Sequence, residues 1–494
     1  MKPLLSMLLP ILMAVALVRC AREETEEVVV QPEEMPAEVA IPDYETGRSV
    51  FVQMTGEGFQ AEADLLAESI RNRVSRHDGL AALDPGDASA SSADFVLEGR
   101  IEKAGGQLEV VTVLRDQEGA VLSDQHYLED PAGLIRVSEE IGARTVAALD
   151  PDAAGPRSEA VRDIDPHAVQ LYVRSKAFLA EQSHAGADRA IAGFKQAVRQ
   201  DSDFVPAWLG LARAYLMIFE EGWNRNLVWL ELAQKSAIRT IQLDSLQAEA
   251  YQVMGRVHQL RGDDLHAEPY FRKALDLHPR LAPSWAGLGG VFSKYGLYEP
   301  ALEAYGHAVS IRPDDPAFAL NYAMLLIGLK RYEEARSVLE RAVRMRPEAV
   351  HLKTFLALAC YYLQDYSNAS DAVQEGLSAP KYQPLAHAVR AMILCKNGRW
   401  DDALAEVELE VKPAAGGDAS LMTAAAAVYA LLGRDGLAVQ WLEKAADAGY
   451  REVPWIANDP NFSGLRDDPR YRDLMTRLNG LWKAQVRDYF EREG

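Results

Sequence analysis

The sequence has 494 residues, more than one ordinary hydrophobic core accommodates, so it predicts several domains or an array of repeats. Hydrophobic residues make up 48% of the chain, which is typical of a folded protein and excludes a largely disordered one. The formal net charge is −21, and no dense run of Lys and Arg reverses it locally. Because such a field repels a phosphate backbone, we expect no nucleic acid among the partners.

Residues 1–20 have the composition of a targeting segment. Their apolar run of 15 residues, from Leu4 to Val18, is shorter than the ~20 residues of a membrane span and typical of a signal-peptide core. Cys20 follows, and the segment resembles a bacterial lipoprotein signal, with Arg19 in place of the usual small residue. The resemblance implies a lipidated Cys20 and a membrane-anchored protein that faces the periplasm. Ordinary secretion, an uncleaved anchor and a cytosolic location are the alternatives.

The next segment, residues 21–47, is predicted to be an acidic, disordered tether. Between residues 21 and 40 there are seven glutamates but only one basic residue, Arg22. A segment of this composition buries too little apolar surface to order itself. We expect it to hold the folded part of the protein away from a membrane surface.

Strand and helix patterns alternate after the tether. A β-branched and aromatic run at 49–54 predicts a strand, and apolar residues three and four apart within 59–77 predict an amphipathic helix. Residues 93–130 indicate three strands separated by two Gly-containing turns. A short strand at 79–84 and a helix at 134–149 complete this part of the chain, and the mixture of strands and helices predicts one sheet with helices packed on it.

Residues 48–150 resemble the TolB amino-terminal-like domain of bacterial signalling and envelope proteins. The resemblance rests on the stretches ADFVLEG, AGGQLEV, LRDQEGAVLSDQHY and EEIGARTVAAL, while the first strand lacks the family's usual Pro-Phe. It implies an interaction or sensing role for this domain and no catalysis. The glycines of the hairpin fit turn chemistry better than a phosphate loop, since no Lys-Ser/Thr follows them.

The rest of the chain has an internal period of 34 residues. Five alanines follow one another at this spacing, and a large apolar residue stands four positions after each of them. These alanines are Ala267, Ala301, Ala335, Ala369 and Ala403. A small residue is needed where two helices cross, and a large one fills the gap beside the crossing. The pattern therefore predicts a repeated pair of crossing helices.

The helix before each alanine has its own signature. The pattern W-x-x-L-[AG]-x-x-[YF] begins at Trp208 and again at Trp285, and prolines close three repeats in the same phase. These features resemble the tetratricopeptide-repeat (TPR) family, whose helix-turn-helix period is 34 residues. Three further alanines, Ala190, Ala233 and Ala438, extend the array to eight repeats, and the second repeat holds a nine-residue insertion.

The predicted fold class is mainly α. We expect a right-handed α-solenoid of about eight TPR helix pairs at 166–450, preceded by the small α/β domain and a linker at 151–165. Residues 451–494 contain helix-breaking prolines and then a helical stretch, and they resemble the helical cap that ends such arrays. A solenoid needs a terminal cap because its last helix pair would otherwise expose an apolar face.

Motifs for catalysis or metal binding are missing from the sequence. The ten histidines form no HExxH or HxxxH pair, no GxSxG is present, and the three cysteines form no CxxC. We therefore expect no enzymatic activity, no cofactor and no metal site. Cys360 and Cys395 are interpreted as buried thiols, with a disulfide between them as the alternative. The oligomeric state cannot be derived from this pattern.

The first helix of each TPR pair lines the concave groove, so its residues are the candidates for a partner site. In the fifth repeat, Leu320, Met324 and Ile327 form one apolar stripe on a helix that is apolar nearly all round. The later repeats and the third repeat contribute further candidates: Leu358, Tyr361, Met392, Arg256 and Gln259. Either these residues bind an apolar peptide or helix, or neighbouring helices and the C-terminal cap cover them within the chain.

Two functions fit the sequence. The first is a non-enzymatic scaffold or adaptor of the bacterial cell envelope that binds partner proteins or peptides through the groove. The second is a sensory or regulatory subunit that acts on a signalling enzyme, of cyclase or kinase type, encoded on another chain. The identity of the partner distinguishes the two.

Overall fold

The computed structural model describes residues 48–77, 80–83, 87, 90–130, 133–150, 164–450 and 453–493. The predicted leader at 1–20 and the predicted tether at 21–47 lie outside these residues, as does most of the predicted linker at 151–165.

The first part of the chain folds into a five-stranded sheet with two helices. The strands are β1 (Arg48–Thr55), β2 (Leu80–Leu83), β3 (Phe95–Ala104), β4 (Gln107–Asp116) and β5 (Val121–Glu129), and the helices are α1 (Gln60–Ser75) and α2 (Leu134–Leu149). The strand order in the sheet is β2-β1-β3-β4-β5. Strand β1 pairs in parallel with β2 and β3, whereas β3-β4 and β4-β5 are antiparallel. The elements follow the order that the sequence predicts.

Both helices cover one face of this sheet. Val52 of β1 and Val110 of β4 point into the same buried cluster as Ile70 of α1 and Ile141 of α2. Each of these four side chains is 0% exposed. Helices α1 and α2 also contact each other, so the sheet and the helix pair form one core.

The following part of the chain is an α-solenoid of helix pairs. Between residues 164 and 450 the structure has eight pairs, as the sequence predicts: α3 (Pro166–Ala180) with α4 (His184–Gln200), α5 (Val205–Glu220) with α6 (Val228–Leu243), α7 (Ala248–Leu260) with α8 (Asp264–Leu277), α9 (Ala282–Lys294) with α10 (Tyr298–Ile311), α11 (Pro316–Gly328) with α12 (Tyr332–Met345), α13 (His351–Tyr362) with α14 (Tyr366–Gly376), α15 (Gln383–Lys396) with α16 (Trp400–Glu406), and α17 (Ala419–Leu431) with α18 (Asp435–Asp447).

The alanines of the eight repeats lie at the crossings within these pairs. All eight of them are 0% exposed: Ala190, Ala233, Ala267, Ala301, Ala335, Ala369, Ala403 and Ala438. Each lies near the start of a second helix, where that helix approaches the first helix of its own pair. In the regular repeats the large residue four positions later is also buried, and Phe271 in α8 is 0% exposed. The phase of the repeat is therefore the one that the sequence indicates.

Two pairs depart from the regular geometry. The insertion in the second repeat lengthens both helices and the loop between them, because α5 and α6 have 16 residues each. In the seventh pair, α16 continues into a π-helical turn at Val407–Val411 and then into Lys412–Ala414. A π turn holds one more residue than an α turn. This extra residue coincides with the spacing from Ala403 to Ala438, which is 35 residues where the regular period is 34.

The segment after the last pair forms two α-helices joined by a 3₁₀ helix. They are α19 (Val453–Asn458) and α20 (Pro469–Glu493), with a 3₁₀ helix at Pro460–Leu465 between them. Pro460 and Pro469 each lie in the first turn of their helix, where a missing N–H has no cost. We call residues 453–493 the C-terminal segment.

Ala301→Leu is expected to destabilise the solenoid by about 1–3 kcal/mol, because the added carbons have no space at a fully buried helix crossing. The measurement is a thermal melt followed by circular dichroism. Ala317→Leu is the matched control, since Ala317 is exposed at the start of α11. Equal melting temperatures for the two variants would contradict the assigned phase of the repeat.

Candidate partner groove

The first helices of the pairs form the inner side of the curved array. Each first helix contacts the first helix of the next repeat, from α3 with α5 through to α15 with α17. Elements on the inside of a curve come closer together than elements on the outside, so these contacts identify the concave side. We call the surface formed by the first helices the inner groove.

Helix α1 of the α/β domain occupies the amino-terminal part of the inner groove. Leu65 of α1 is 1% exposed and belongs to the same buried cluster as Tyr172 of α3 and Phe204 before α5. The Glu68 carboxylate accepts hydrogen bonds from Lys176 of α3 at 2.6 Å and from Arg213 of α5 at 3.5 Å. The α/β domain therefore packs on the first two repeats through an apolar contact at Leu65, with Ile135 of α2 beside it, and through this ion-pair cluster.

The positive charges in this ion-pair cluster lower the pKa of Glu68. Burial by itself raises the pKa of Glu68, but the positive charges of Lys176 and Arg213 outweigh it and lower the pKa to about 2. Arg213 also lies 3.7 Å from Glu249 of α7, which extends the cluster to the third repeat. Because Glu68 stays ionised at any ordinary pH, the contact between domain and solenoid keeps its charge complementarity.

Two further ion pairs join the α/β domain to the solenoid. Arg76, just after α1, pairs with Asp244 at the end of α6. Arg280, just before α9, binds both carboxylate oxygens of Asp87, at 2.7 Å and 2.5 Å, and the Asp87 side chain is 0% exposed. The α/β domain is thus held at several points along the first four repeats.

The C-terminal segment covers the carboxyl ends of the first helices in the later repeats. The Tyr361 hydroxyl at the end of α13 donates to Asn461 at 2.6 Å, and the adjacent Tyr362 hydroxyl donates to Asp459 at 3.0 Å. Trp455 of α19 packs on Gly328 at the end of α11, where a Cβ would lie 2.9 Å from its ring. Residues 453–465 are therefore docked on the fifth and sixth repeats.

Helix α20 continues this cover toward the middle of the array. The Trp482 ring packs on Gly296, in the turn after α9, so closely that a Cβ there would overlap it. Tyr489 is 0% exposed, and its hydroxyl donates to Glu268 of α8 at 2.8 Å. Its ring lies 4.9 Å from the ring of Tyr295. The C-terminal segment thus reaches from the eighth repeat back to the third.

A buried carboxyl group anchors the C-terminal segment. Burial raises the pKa of Asp459 to about 6, although hydrogen bonds from the Asn461 backbone N–H at 2.8 Å and from Tyr362 favour the ionised form. The group therefore accepts a proton more readily than an ordinary aspartate.

A cavity of about 810 Å³ remains between the inner groove and the C-terminal segment. Its floor is formed by apolar residues of the first helices, and tryptophans of the C-terminal segment close one side. The principal side chains are Met324, Leu358, Met392, Leu421, Trp455 and Trp482. Polar and charged groups also line it: Lys294, Asn321, Lys381, Asp418, Ser420 and Asp459. An apolar cavity with a few polar groups is the usual form of a ligand site.

The predicted groove residues of the later repeats divide into two groups. Met324, Leu358 and Met392 line the cavity. Ile327 and Tyr361 are each 3% exposed, with Trp455 and Asn461 of the C-terminal segment beside them. At these two positions the structure follows the second alternative, cover within the chain, because the C-terminal segment doubles back over them. Leu320 is half-buried, packs against the main core and is not among the residues that line the cavity.

The predicted groove residues of the third repeat bond to neighbouring helices. Arg256 donates to Glu220 of α5 at 2.5 Å and to Gln259 at 2.8 Å. Gln259 in turn donates to the Gly287 carbonyl of α9 at 3.2 Å. Both side chains therefore link three successive first helices.

The cysteines that the structure describes, Cys360 and Cys395, are free and buried. Burial raises the pKa of both thiols, that of Cys395 to about 11, so neither is a reactive thiolate. The candidate lipidation residue Cys20 lies outside the described residues.

The residues that fill the groove are not among those that the sequence predicts for it. Glu68 lies on a polar position of an amphipathic helix, where solvation is the ordinary expectation. Trp455, Trp482 and Tyr489 belong to the stretch whose sequence resembles an end cap of the array. A signal for their wider role is the presence of these large aromatic residues along the whole stretch after the last repeat.

Glu68→Gln is expected to destabilise the protein by about 1.5–3 kcal/mol at neutral pH, because it removes the carboxylate that accepts hydrogen bonds from the partly exposed Lys176 and Arg213. The folded-state pKa of Glu68 lies below the ordinary 4.5, so its contribution is complete above pH 4.5 and is lost as the pH falls toward about 2. The variant should lack that component of acid sensitivity in melts recorded across this range.

Glu62→Gln, in the first turn of the same helix, is the control and should leave the melt unchanged. A Glu68→Gln protein that melts like this control at neutral pH would show that the ion-pair cluster does not hold the two domains together.

Comparison with known proteins locates the repeat family in the middle of the solenoid. Residues 294–359, from the end of α9 into α13, match the tetratricopeptide repeat model. The chain is 28% identical over 252 residues to protein FlbA of Caulobacter vibrioides, covering 50% of this chain and 39% of that protein. It is 25% identical over 228 residues to the BBSome complex member BBS4 of Bos taurus, covering 46% and 42%. The chain spans about two fifths of the length of these curated relatives.

Among solved structures, yeast Tom70 aligns with a TM-score of 0.37 at 16% identity, covering 69% of this chain and 77% of that one. PilF of Pseudomonas aeruginosa aligns with a TM-score of 0.36 at 18% identity, covering 42% and 93%. The family match falls on helix pairs that share their period and their buried alanines with the rest of the array. The chain therefore contains tetratricopeptide repeats, arranged as an α-solenoid behind a small α/β domain.

Proposed function

We propose that this protein is a non-enzymatic interaction protein of the bacterial cell envelope that binds a short apolar segment of a partner protein. The observation that carries the proposal is the cavity of about 810 Å³ left between the inner groove and the C-terminal segment. Tetratricopeptide-repeat proteins are in general scaffolds for protein interaction, and this cavity is a part of the groove that the described residues leave unfilled.

The lining of the cavity favours an apolar ligand. Met324, Leu358 and Met392 present flexible or branched apolar side chains, and Met adapts its shape to irregular partners. Each apolar side chain that enters such a site gains about 1.5–3 kcal/mol when it is fully buried. A volume of about 810 Å³ lies within the range of ligand sites, about 300–1,000 Å³, and suits a short segment better than a whole helix.

Other observations agree with a protein as the partner. The net charge of −21 disfavours nucleic acid. The relative BBS4 is by name a member of a protein complex. Motifs for catalysis are missing from the sequence, which agrees with a binding role.

The envelope location rests on the leader sequence. An apolar run of 15 residues precedes Cys20, as in lipoprotein signals. Within the part of the chain that the structure describes, no helix is long and apolar enough to cross a membrane. A lipid on Cys20 would supply the membrane attachment.

A regulatory subunit of a signalling enzyme is the second candidate. The observation that favours it is the multipoint contact between the α/β domain and the first four repeats, through which a signal at one domain reaches the other. A photo-cross-linker at Ser420, exposed at the cavity, distinguishes the two in native membranes. A structural envelope protein in the adduct supports the adaptor, and a cyclase or kinase supports the regulator.

Lipidation of Cys20 is expected when the full chain is expressed in a bacterial host and extracted from membranes. The intact mass should correspond to a chain that begins at Cys20 and carries acyl groups, and Cys20→Ser should abolish the membrane attachment. An amino terminus that still starts at Met1, or an unmodified Cys20, would contradict the anchor.

Met324→Glu is expected to weaken binding several tens of fold or more, because it places a charge in a desolvated apolar wall. The ligand is selected from a peptide-display library on the wild-type protein, and its Kd is measured by fluorescence polarisation. Met345→Glu is the matched control, since Met345 is 45% exposed at the end of α12.

The circular dichroism melt of the Met324→Glu protein separates binding from folding. An unchanged melt with lost binding supports the cavity as the site. Unfolding of the variant, or binding equal to that of the Met345→Glu control, contradicts it.

A further inference from the structure

The turn between α7 and α8 gathers two imidazoles around one carboxylate. His258 Nδ1 lies 3.0 Å from one oxygen of Asp263, and His266 Nδ1 lies 2.6 Å from the other oxygen. The two imidazole rings are 5.8 Å apart, centre to centre. The sequence pattern is His-x4-Asp-x2-His across a helix-turn-helix junction, which no standard metal motif covers. The turn between the two helices of one pair brings these three side chains together.

Helix capping does not account for the position of Asp263. It occupies the N-cap of α8, yet its side chain makes no hydrogen bond to the helix N–H groups. Asp315 before α11, Asp365 before α14 and Asp418 before α17 do accept such bonds at their N-caps. Asp263 is directed instead at the two imidazoles, so the cluster has a geometry that ordinary capping would not produce.

One of the imidazoles is held in place and the other is accessible. The His258 side chain is 15% exposed and its ring stacks on Tyr270 at 5.4 Å. The His266 side chain is 66% exposed and free to adjust its rotamer.

We propose that His258, Asp263 and His266 form a Zn²⁺ site, with two imidazole nitrogens and one carboxylate oxygen as ligands. All three ligand atoms lie within 4.8 Å of one another. Zinc–ligand bonds of about 2.0–2.2 Å place tetrahedral ligands roughly 3.3–3.6 Å apart, so a small movement of the exposed His266 completes the geometry. The fourth position faces solvent and takes a water molecule.

The donor set selects the kind of ion. Two nitrogen donors suit a borderline transition ion such as Zn²⁺, whereas Ca²⁺ and Mg²⁺ prefer six or more oxygen ligands. A bound ion would link the last turn of α7 to the first turn of α8 across Gly262. Because it binds the folded repeat, it would also raise the melting temperature of the array.

The test is isothermal titration of the full-length, untagged protein with zinc chloride. Wild type should bind one ion per chain, and excess magnesium should not compete. His266→Ala and Asp263→Asn should each weaken the affinity at least about tenfold, since loss of even an outer partner of a metal ligand costs that much. His167→Ala, at an exposed histidine near the start of α3, is the matched control and should bind as wild type does.

Melts with and without zinc supply a second measurement. The zinc-dependent rise in melting temperature should appear in wild type and in His167→Ala, and disappear in His266→Ala, whose metal-free melt is expected to be normal because the side chain is exposed. No titratable binding by wild type would overturn the site. Equal affinity of His266→Ala and wild type would overturn it as well, because other surface groups would then hold the ion.

Discussion

The structure depends on one constraint: the first helices of the solenoid present an apolar inner surface that water must not reach. Helix α11 illustrates this constraint. Both of its faces are apolar in sequence, and six of its side chains are buried. Exposed apolar surface costs about 25 cal/mol for each Å². The chain meets the constraint with its own α/β domain at one end of the groove and its C-terminal segment at the other.

The two covers use different interactions. The α/β domain docks through a small apolar contact at Leu65 and a set of ion pairs centred on Glu68. Charges that are desolvated contribute little net stability, but a mismatched partner leaves them unpaired, so they define one docking position. The C-terminal segment docks through Trp455, Trp482 and Tyr489, whose large rings supply the buried area. Ion pairs thus define where the α/β domain docks, whereas apolar packing stabilises the docking of the C-terminal segment.

The part of the inner groove between the α/β domain and the C-terminal segment determines where the protein can bind a partner. The cavity combines Met324, Leu358 and Met392 of the repeats with tryptophans of the C-terminal segment, so its shape depends on the docking of that segment. Asp459, whose pKa is raised to about 6, lies at the contact that holds the C-terminal segment on α13. The cluster of His258, Asp263 and His266 lies near the far end of the same cover, on the helix pair that receives Tyr489.

The sequence by itself determined the repeat, with its fully buried alanines at the helix crossings, the order of strands and helices in the α/β domain, and two buried thiols. These features follow from spacings of three, four and 34 residues, which local helix geometry and nearest-neighbour packing impose. Only the tertiary structure decided which groove residues are accessible, since Lys176 and Glu68 are 108 residues apart and Tyr489 and Glu268 are 221 apart. No local period encodes such contacts, because they depend on how the accumulated curvature of the whole array presents one surface to another.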